Sequence, residues 1–240
     1  MRTLVIGDIH GRYEALLEVL KKSKFDKEKD RLICLGDIVD GGYDTFKVVE
    51  ELLTINNFTL VLGNHDHWFM EHISWGFCSE LWIQQGGKNT VESYGGKVIG
   101  YNGIMDDANL DTSDLNIPVT HQDLFNKGKY FHKETINGKK MLFVHGGFNI
   151  EKPIEKQTAQ YVMWDRDLFK VHALKGNIDG YDDIFVGHTA TDTVIEGTMT
   201  PLTRNNVTLL DTGAGWIGKL TIMDVETREY WQSSIQVPAR

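Results

Sequence analysis

Five apolar runs of this chain, rich in β-branched residues, each end at a turn carrying glycine and a carboxylate, an amide or an imidazole. Thr3–Ile6 leads into Gly7-Asp8-Ile9-His10-Gly11, residues 31–35 into Gly36-Asp37-Ile38-Val39-Asp40, and residues 58–62 into Gly63-Asn64-His65-Asp66. Residues 140–144 end at His145-Gly146-Gly147, and residues 183–186 at Gly187-His188-Thr189. An amphipathic stretch follows each of the first two runs. Residues 12–22 place Leu16, Leu17 and Leu20 on one helical face, and residues 43–53 do the same with Phe46, Val49, Leu52 and Leu53. A helix is expected after the third run as well. Strand, turn and helix three times over predict a parallel, buried sheet, because parallel strands need long crossover connections. Ligands of such sheets sit beyond the carboxyl ends of the strands, so Asp8, Asp37 and Asn64 are expected along one edge.

The later part of the chain continues the pattern differently. Residues 207–211, 219–224 and 228–232 alternate in polarity and are joined by tight turns, so they read as antiparallel strands. A parallel half packed against an antiparallel half gives an α/β fold: a two-sheet sandwich flanked by helices. The 240 residues are expected to form a single domain over 1–240. Residues 67–127 hold His67, Trp68, Phe69, Trp75, Phe77 and Trp82, then the pairs Gly86-Gly87 and Gly95-Gly96. They read as a mostly helical insertion covering one side of the site, with residues 106–114 as an acidic, solvated loop. In this segment only Asp66, at its border, is a candidate ligand.

Charge and cysteine use narrow the function. A net charge of −9 disfavours a nucleic-acid groove, which needs a basic face. It also means that an anionic substrate must meet strong local positive charge, which bound cations supply. No apolar stretch reaches the roughly 18 residues of a membrane span. The first apolar run begins almost at Met1, so a cleaved leader would remove the Asp8 turn, and a cytoplasmic protein is expected. Cys34 lies within an apolar run and reads as a reduced core thiol. A Cys34–Cys78 disulfide is the disfavoured alternative.

The donor set is carboxylate, amide and imidazole without thiolate, which suits Mn, Fe or Zn. It is too large for one ordinary site and fits two ions about 3.5–4 Å apart, the arrangement used to attack phosphorus with water. Taken singly, Asp8 or Asp37 reads as an Asx-turn former and His145 or His188 as a core histidine. Five such groups at the ends of five separate runs are not five independent turns.

These motifs resemble the signature of the calcineurin-like metallophosphoesterases, and within them the short bacterial and phage form of the phosphoprotein-phosphatase branch. Residues 82–90, Ser93-Tyr94-Gly95, Asp211-Thr212-Gly213 and Lys219-Leu220-Thr221 carry the resemblance over nearly the whole chain. It implies a four-layer α/β/β/α fold and two divalent metal ions, Mn foremost, with Fe or Zn as alternatives. Asp8, His10 and Asp37 would hold the first ion. Asp37 would bridge to a second completed by Asn64, His145 and His188. A metal-bridging hydroxide would attack phosphorus, His65 would be the general acid oriented by Asp40, and Asn64 and Arg166 would contact the substrate phosphate. From the residues alone, the competing reading of Asp40 is an N-cap for the helix expected near Tyr43, that of His65 a buried polar residue and that of Arg166 a solvated helix arginine. The family pattern usually continues Gly-Asp-x-x-Asp-Arg-Gly, but Gly41 stands in the place of that phosphate-gripping arginine. Arg12 is a candidate to compensate, and His67 is close enough in sequence to touch substrate.

The implied function is a phosphomonoesterase, of the protein serine/threonine phosphatase kind. It would act on a phosphorylated protein or small phosphorylated substrate, without nucleic-acid or membrane partners. The alternatives are hydrolysis of dinucleoside polyphosphates such as diadenosine tetraphosphate, or a catalytically weak metal-binding module. Family members of the dinucleoside kind usually lack the aspartate at the Asp40 position, which favours the phosphatase.

Overall fold

The computed structural model describes residues 1–76, 78–99 and 109–237. Phe77 and residues 106–108 of the expected acidic loop lie outside them. The chain opens with β1 (Thr3–Ile6), α1 (Tyr13–Lys22), β2 (Arg31–Cys34), α2 (Thr45–Leu53), β3 (Asn57–Leu60) and α3 (Asn64–Trp75). Next come α4 (Glu80–Trp82), a wider π-turn at Ile83–Gly87, α5 (Lys88–Ser93), a small antiparallel pair of β4 (Lys97–Ile99) and β5 (Asn109–Asp111), and α6 (Val119–Asn126). The rest comprises β6 (Phe131–Ile136), β7 (Lys139–Val144), α7 (Ala159–Trp164), β8 (Asp183–Val186), β9 (Leu202–Arg204), β10 (Val207–Leu209), β11 (Thr221–Asp224) and β12 (Tyr230–Gln232).

Two five-stranded sheets form, in the orders β12-β11-β1-β2-β3 and β6-β7-β8-β10-β9. As expected, β1, β2 and β3 are mutually parallel. The expected division into a parallel and an antiparallel half does not hold, because both sheets are mixed. β11 pairs antiparallel with β1 and extends the first sheet, whereas β10 joins the second sheet parallel to β8. The closing strands are thus shared between the sheets rather than forming one of them.

Alternating side chains explain why the two sheets stack. Val5, Ile33 and Leu35 from the first sheet and its margin meet Met141, Phe143 and Phe185 from the second in one apolar layer. Their neighbours Leu4, Ile6, Leu32 and Cys34 point the other way, into a core shared with α1 and α2. Leu142, Val144, Ile184 and Val186 face a third layer with Val162 and Met163 of α7. Strands buried on both faces lose polar alternation, hence the unbroken apolar runs. Each fully buried aliphatic side chain contributes about 1.5–3 kcal/mol. The result is a four-layer α/β/β/α sandwich. Cys34 and Cys78 are both buried and unpaired with each other. Among the described residues no helix is long and apolar enough to cross a membrane.

Candidate metal centre

The five turns converge because their backbones are tied together. Ile9 and His10 donate their amides to the Asp37 carbonyl at 3.0 and 2.8 Å, Gly11 donates to Ile38 at 2.9 Å, and Gly187 donates to the His145 carbonyl at 2.8 Å. Asp66 is the clasp. Its carboxylate accepts amides from Asp37 at 2.7 Å, Ile38 at 2.9 Å and Gly63 at 3.0 Å, so it joins two ligand turns and is not itself a ligand. Gly63 is required by close approach, since a Cβ there would lie 2.1 Å from the Asp37 Oδ1. His10, Asp37, Asp40 and His188 all hold positive φ, between 50° and 69°. Such conformations are costly for non-glycine residues and persist where surrounding contacts over-determine them.

At the centre, acceptors face acceptors. His145 Nδ1 donates to the Leu35 carbonyl at 2.7 Å, which leaves Nε2 as a lone pair in the neutral ring. That atom faces Asn64 Oδ1 at 3.1 Å and Asp37 Oδ2 at 3.2 Å. Three acceptors repel unless a proton or a metal cation lies among them. Burial opposes charge on His145, yet the Asp37 and Asp8 carboxylates push its pKa up to about 10. His10 is fixed in the same sense, with Nδ1 donating to the Val39 carbonyl at 3.1 Å and Nε2 3.8 Å from Asp37 Oδ2. A carbonyl that fixes one ring nitrogen and frees the other is the usual support of a metal-ligating histidine. His188 Nε2 is buried without a partner. The residues therefore fit divalent cations on their own geometry. Among the described residues two groups gather potential ligand atoms within 4.8 Å: His10, Asp37 and His65, and Asp37, His145 and His188. Asp37 belongs to both. Asp8 belongs to neither, and its carboxylate accepts the His188 amide at 3.0 Å.

The chain around this centre matches known proteins. A family model described as calcineurin-like phosphoesterase covers residues 1–192. The chain belongs to this family. It is a metal-dependent phosphoric ester hydrolase with the mixed α/β architecture of that fold. Serine/threonine-protein phosphatase 1 of Salmonella typhimurium is 25% identical over 226 residues, spanning 92% of this chain and 91% of that protein. The symmetrical bis(5'-nucleosyl)-tetraphosphatase of Buchnera aphidicola is 46% identical over 67 residues, only 28% of this chain and 24% of that protein. Among solved structures, a provisionally assigned diadenosine tetraphosphatase has a TM-score of 0.65 at 17% identity, over 98% of this chain and 93% of that one. A Saccharomyces cerevisiae serine/threonine phosphatase has a TM-score of 0.54 at 14% identity, over 100% of this chain and 81% of that one. At these identities both structures show the fold alone.

In this calcineurin-like chain a cavity of about 350 Å³ opens over the centre. Asp8, His10, Asp37, Asn64, His65, Arg166 and His188 line it, with His145 and Asp40 fully buried behind. Arg166 donates through Nη1 to the His188 carbonyl at 2.7 Å and to Thr189 Oγ1 at 2.9 Å, so it braces the His188 turn from the cavity wall. Arg12 does not compensate for the missing arginine. Its guanidinium donates to the carbonyls of Ala214 at 3.1 Å and Gly215 at 3.4 Å, and it does not line the cavity. His67 also lies off the cavity, 3.7 Å from Glu71. Asp40 is not an N-cap. The second helix begins at Thr45 behind Asp44, and the Asp40 carboxylate instead takes His65 Nδ1 at 2.7 Å. Sequence reasoning gave no role to Asp211, whose buried carboxyl lines the cavity with its pKa pushed up to about 6, by burial first and then by Asp37. It also missed the tryptophan rim. Trp68 and Trp164 stand 5.3 Å apart, Trp164 meets His188 at 5.7 Å, and Trp216 is exposed at the edge.

Proposed function

We propose that the protein is a two-metal phosphomonoesterase acting on phosphoserine or phosphothreonine in proteins, with Mn as its metal. Asp8, His10 and Asp37 would hold one ion, and Asp37, Asn64, His145 and His188 the other. Membership of Asp37 in both ligand groups supports the shared bridge. When bound, such ions neutralise phosphate charge and acidify water. Arg166 and Asn64 would hold the phosphate. Water adds to phosphorus, the ester oxygen departs with the proton of His65 Nε2, and the products are an alcohol and inorganic phosphate. His65 then regains a proton from solvent.

The observation that carries the monoester reading is the buried Asp40–His65 pair. A serine or threonine alkoxide is a poor leaving group and gains from a general acid by about 10²–10⁴-fold. A nucleotide leaves as a weakly basic phosphate and has little use for one. A second reading, symmetrical cleavage of dinucleoside tetraphosphates, draws on the 46% identity to the Buchnera enzyme and on the tryptophan rim, which suits a nucleobase. The test is turnover of a phosphoserine peptide against diadenosine tetraphosphate in Mn²⁺. Faster release of phosphate from the peptide is expected, and preferential cleavage of the nucleotide would reverse the ranking.

A further inference from the structure

Residues 82–90 pack against the turn at Asp40 and Gly41. The two oxygens of the buried Asp40 carboxylate are met by three donors. Oδ2 accepts His65 Nδ1 at 2.7 Å and the Trp82 indole Nε1 at 2.9 Å, and Oδ1 accepts the Thr90 hydroxyl at 2.7 Å. The direction of the last bond follows from the carboxylate, which only accepts when ionised, and Thr90 Oγ1 in turn accepts the Asp40 amide at 2.8 Å. Trp82 is 1% exposed and Thr90 and Asp40 are 0% exposed, so bulk solvent does not reach this carboxylate.

The backbone of the segment is shaped for this contact. The π-turn between α4 and α5 breaks helical geometry at Gln85 and Gly86, and so brings Trp82 and Thr90 to one carboxylate. A Cβ at Gly87 would lie 2.5 Å from the Trp82 Nε1, and one at Gly86 would lie 2.3 Å from the Gly41 amide. Asn89 completes the contact by donating to the Gly41 carbonyl at 2.7 Å.

We propose that Trp82 and Thr90 are positioning residues for the general acid, holding Asp40 so that it binds His65 Nδ1–H and leaves Nε2–H for the departing oxygen. The proposal rests on the reading of His65 as that acid. A buried carboxylate with His65 as its sole partner would be poorly solvated and free to turn. Two further donors from another segment fix its plane and satisfy its charge. Neither Trp82 nor Thr90 lines the cavity, so their effect passes through Asp40.

The test uses the Mn-loaded full chain and two aryl phosphates, p-nitrophenyl phosphate with a good leaving group and phenyl phosphate with a poor one. His65→Asn is the reference, Thr90→Val and Trp82→Phe remove one donor each, and Thr90→Ser keeps the hydroxyl. Thr90→Val and Trp82→Phe are expected to lose about tenfold in kcat on phenyl phosphate, with little loss on p-nitrophenyl phosphate and unchanged metal content. Thr90→Ser is expected to match the parent on both. Equal losses on both substrates, or no loss on either, in a Thr90→Val chain of full metal content would overturn the cradle while His65→Asn still discriminates. Should His65→Asn itself lose equally on both, the general-acid reading falls and the cradle's function falls with it. Should Trp82→Phe fail to fold, the Thr90→Val and Thr90→Ser pair decides alone.

Discussion

Gly41 holds φ at +73°, and a Cβ added there would lie 3.2 Å from the Gly215 carbonyl and 3.3 Å from His10 Cβ. Both facts oppose a side chain at the position where the resemblance led to the expectation of an arginine. Gly41→Arg is therefore expected to destabilise the protein by about 1–2 kcal/mol through left-handed strain, measured as a lower urea midpoint at unchanged slope. Residue roles divided by how far their partners lie in sequence. The ligand candidates Asp8, Asp37 and His145 were legible because each ends an apolar run. Asp40 carried two readings, because a carboxylate ahead of a helix can cap it or orient a neighbouring imidazole. The decision came from His65, Trp82 and Thr90, 25, 42 and 50 residues away. The role of Arg12 was open for the same reason, its carbonyl partners lying about 200 residues downstream.

At the scale of elements, the inter-sheet layer is held by aromatic stacking. The rings of Phe143 on β7 and Phe185 on β8 lie 5.2 Å apart and 7° from parallel, facing Val5 and Ile33 of the first sheet. Phe185→Ala is expected to cost about 3–5 kcal/mol, read by urea unfolding, with the folded fraction still binding its metals in full. The strands β1, β2, β3, β7 and β8 were legible from their apolar runs, and the parallel sense of β1, β2 and β3 followed from the crossover helices. Pairing of the closing strands was not. β10 and β11 carry similar patterns, yet one pairs with β8 and the other with β1. A strand buried on both faces gives no sign of its partner, since pairing is written in backbone hydrogen bonds common to every residue. The kink at Ile83–Gly87 was marked by its glycines, but its purpose depended on what it touches.

Over the whole molecule, the four-layer sandwich brings buried carboxylates and imidazoles from both sheets into one centre, and that concentration of charge couples stability to pH and metal. The native pKa of His145 is raised to about 10, against an unfolded value near 6.5, despite burial and because of Asp37 and Asp8. The metal-free native state thus keeps a proton that the unfolded chain releases. That stabilisation is fully present below about pH 6.5 and is lost as pH climbs towards 10. Chelated protein is expected to show a Tm that falls across this window, and added Mn²⁺ to raise the Tm and flatten the fall, because a cation replaces the proton and binds only the native state. A Tm independent of both pH and metal over that range would contradict this. By itself the sequence determined the ligand types, the strands that carry them and the family, because these depend on local runs, turns and side-chain chemistry. Tertiary structure alone decided that Asp66 is a clasp, that Arg12 is spent elsewhere and that Trp82 and Thr90 meet Asp40. These are distances between segments far apart in the chain, fixed only when the two sheets pack and their turns meet at one edge.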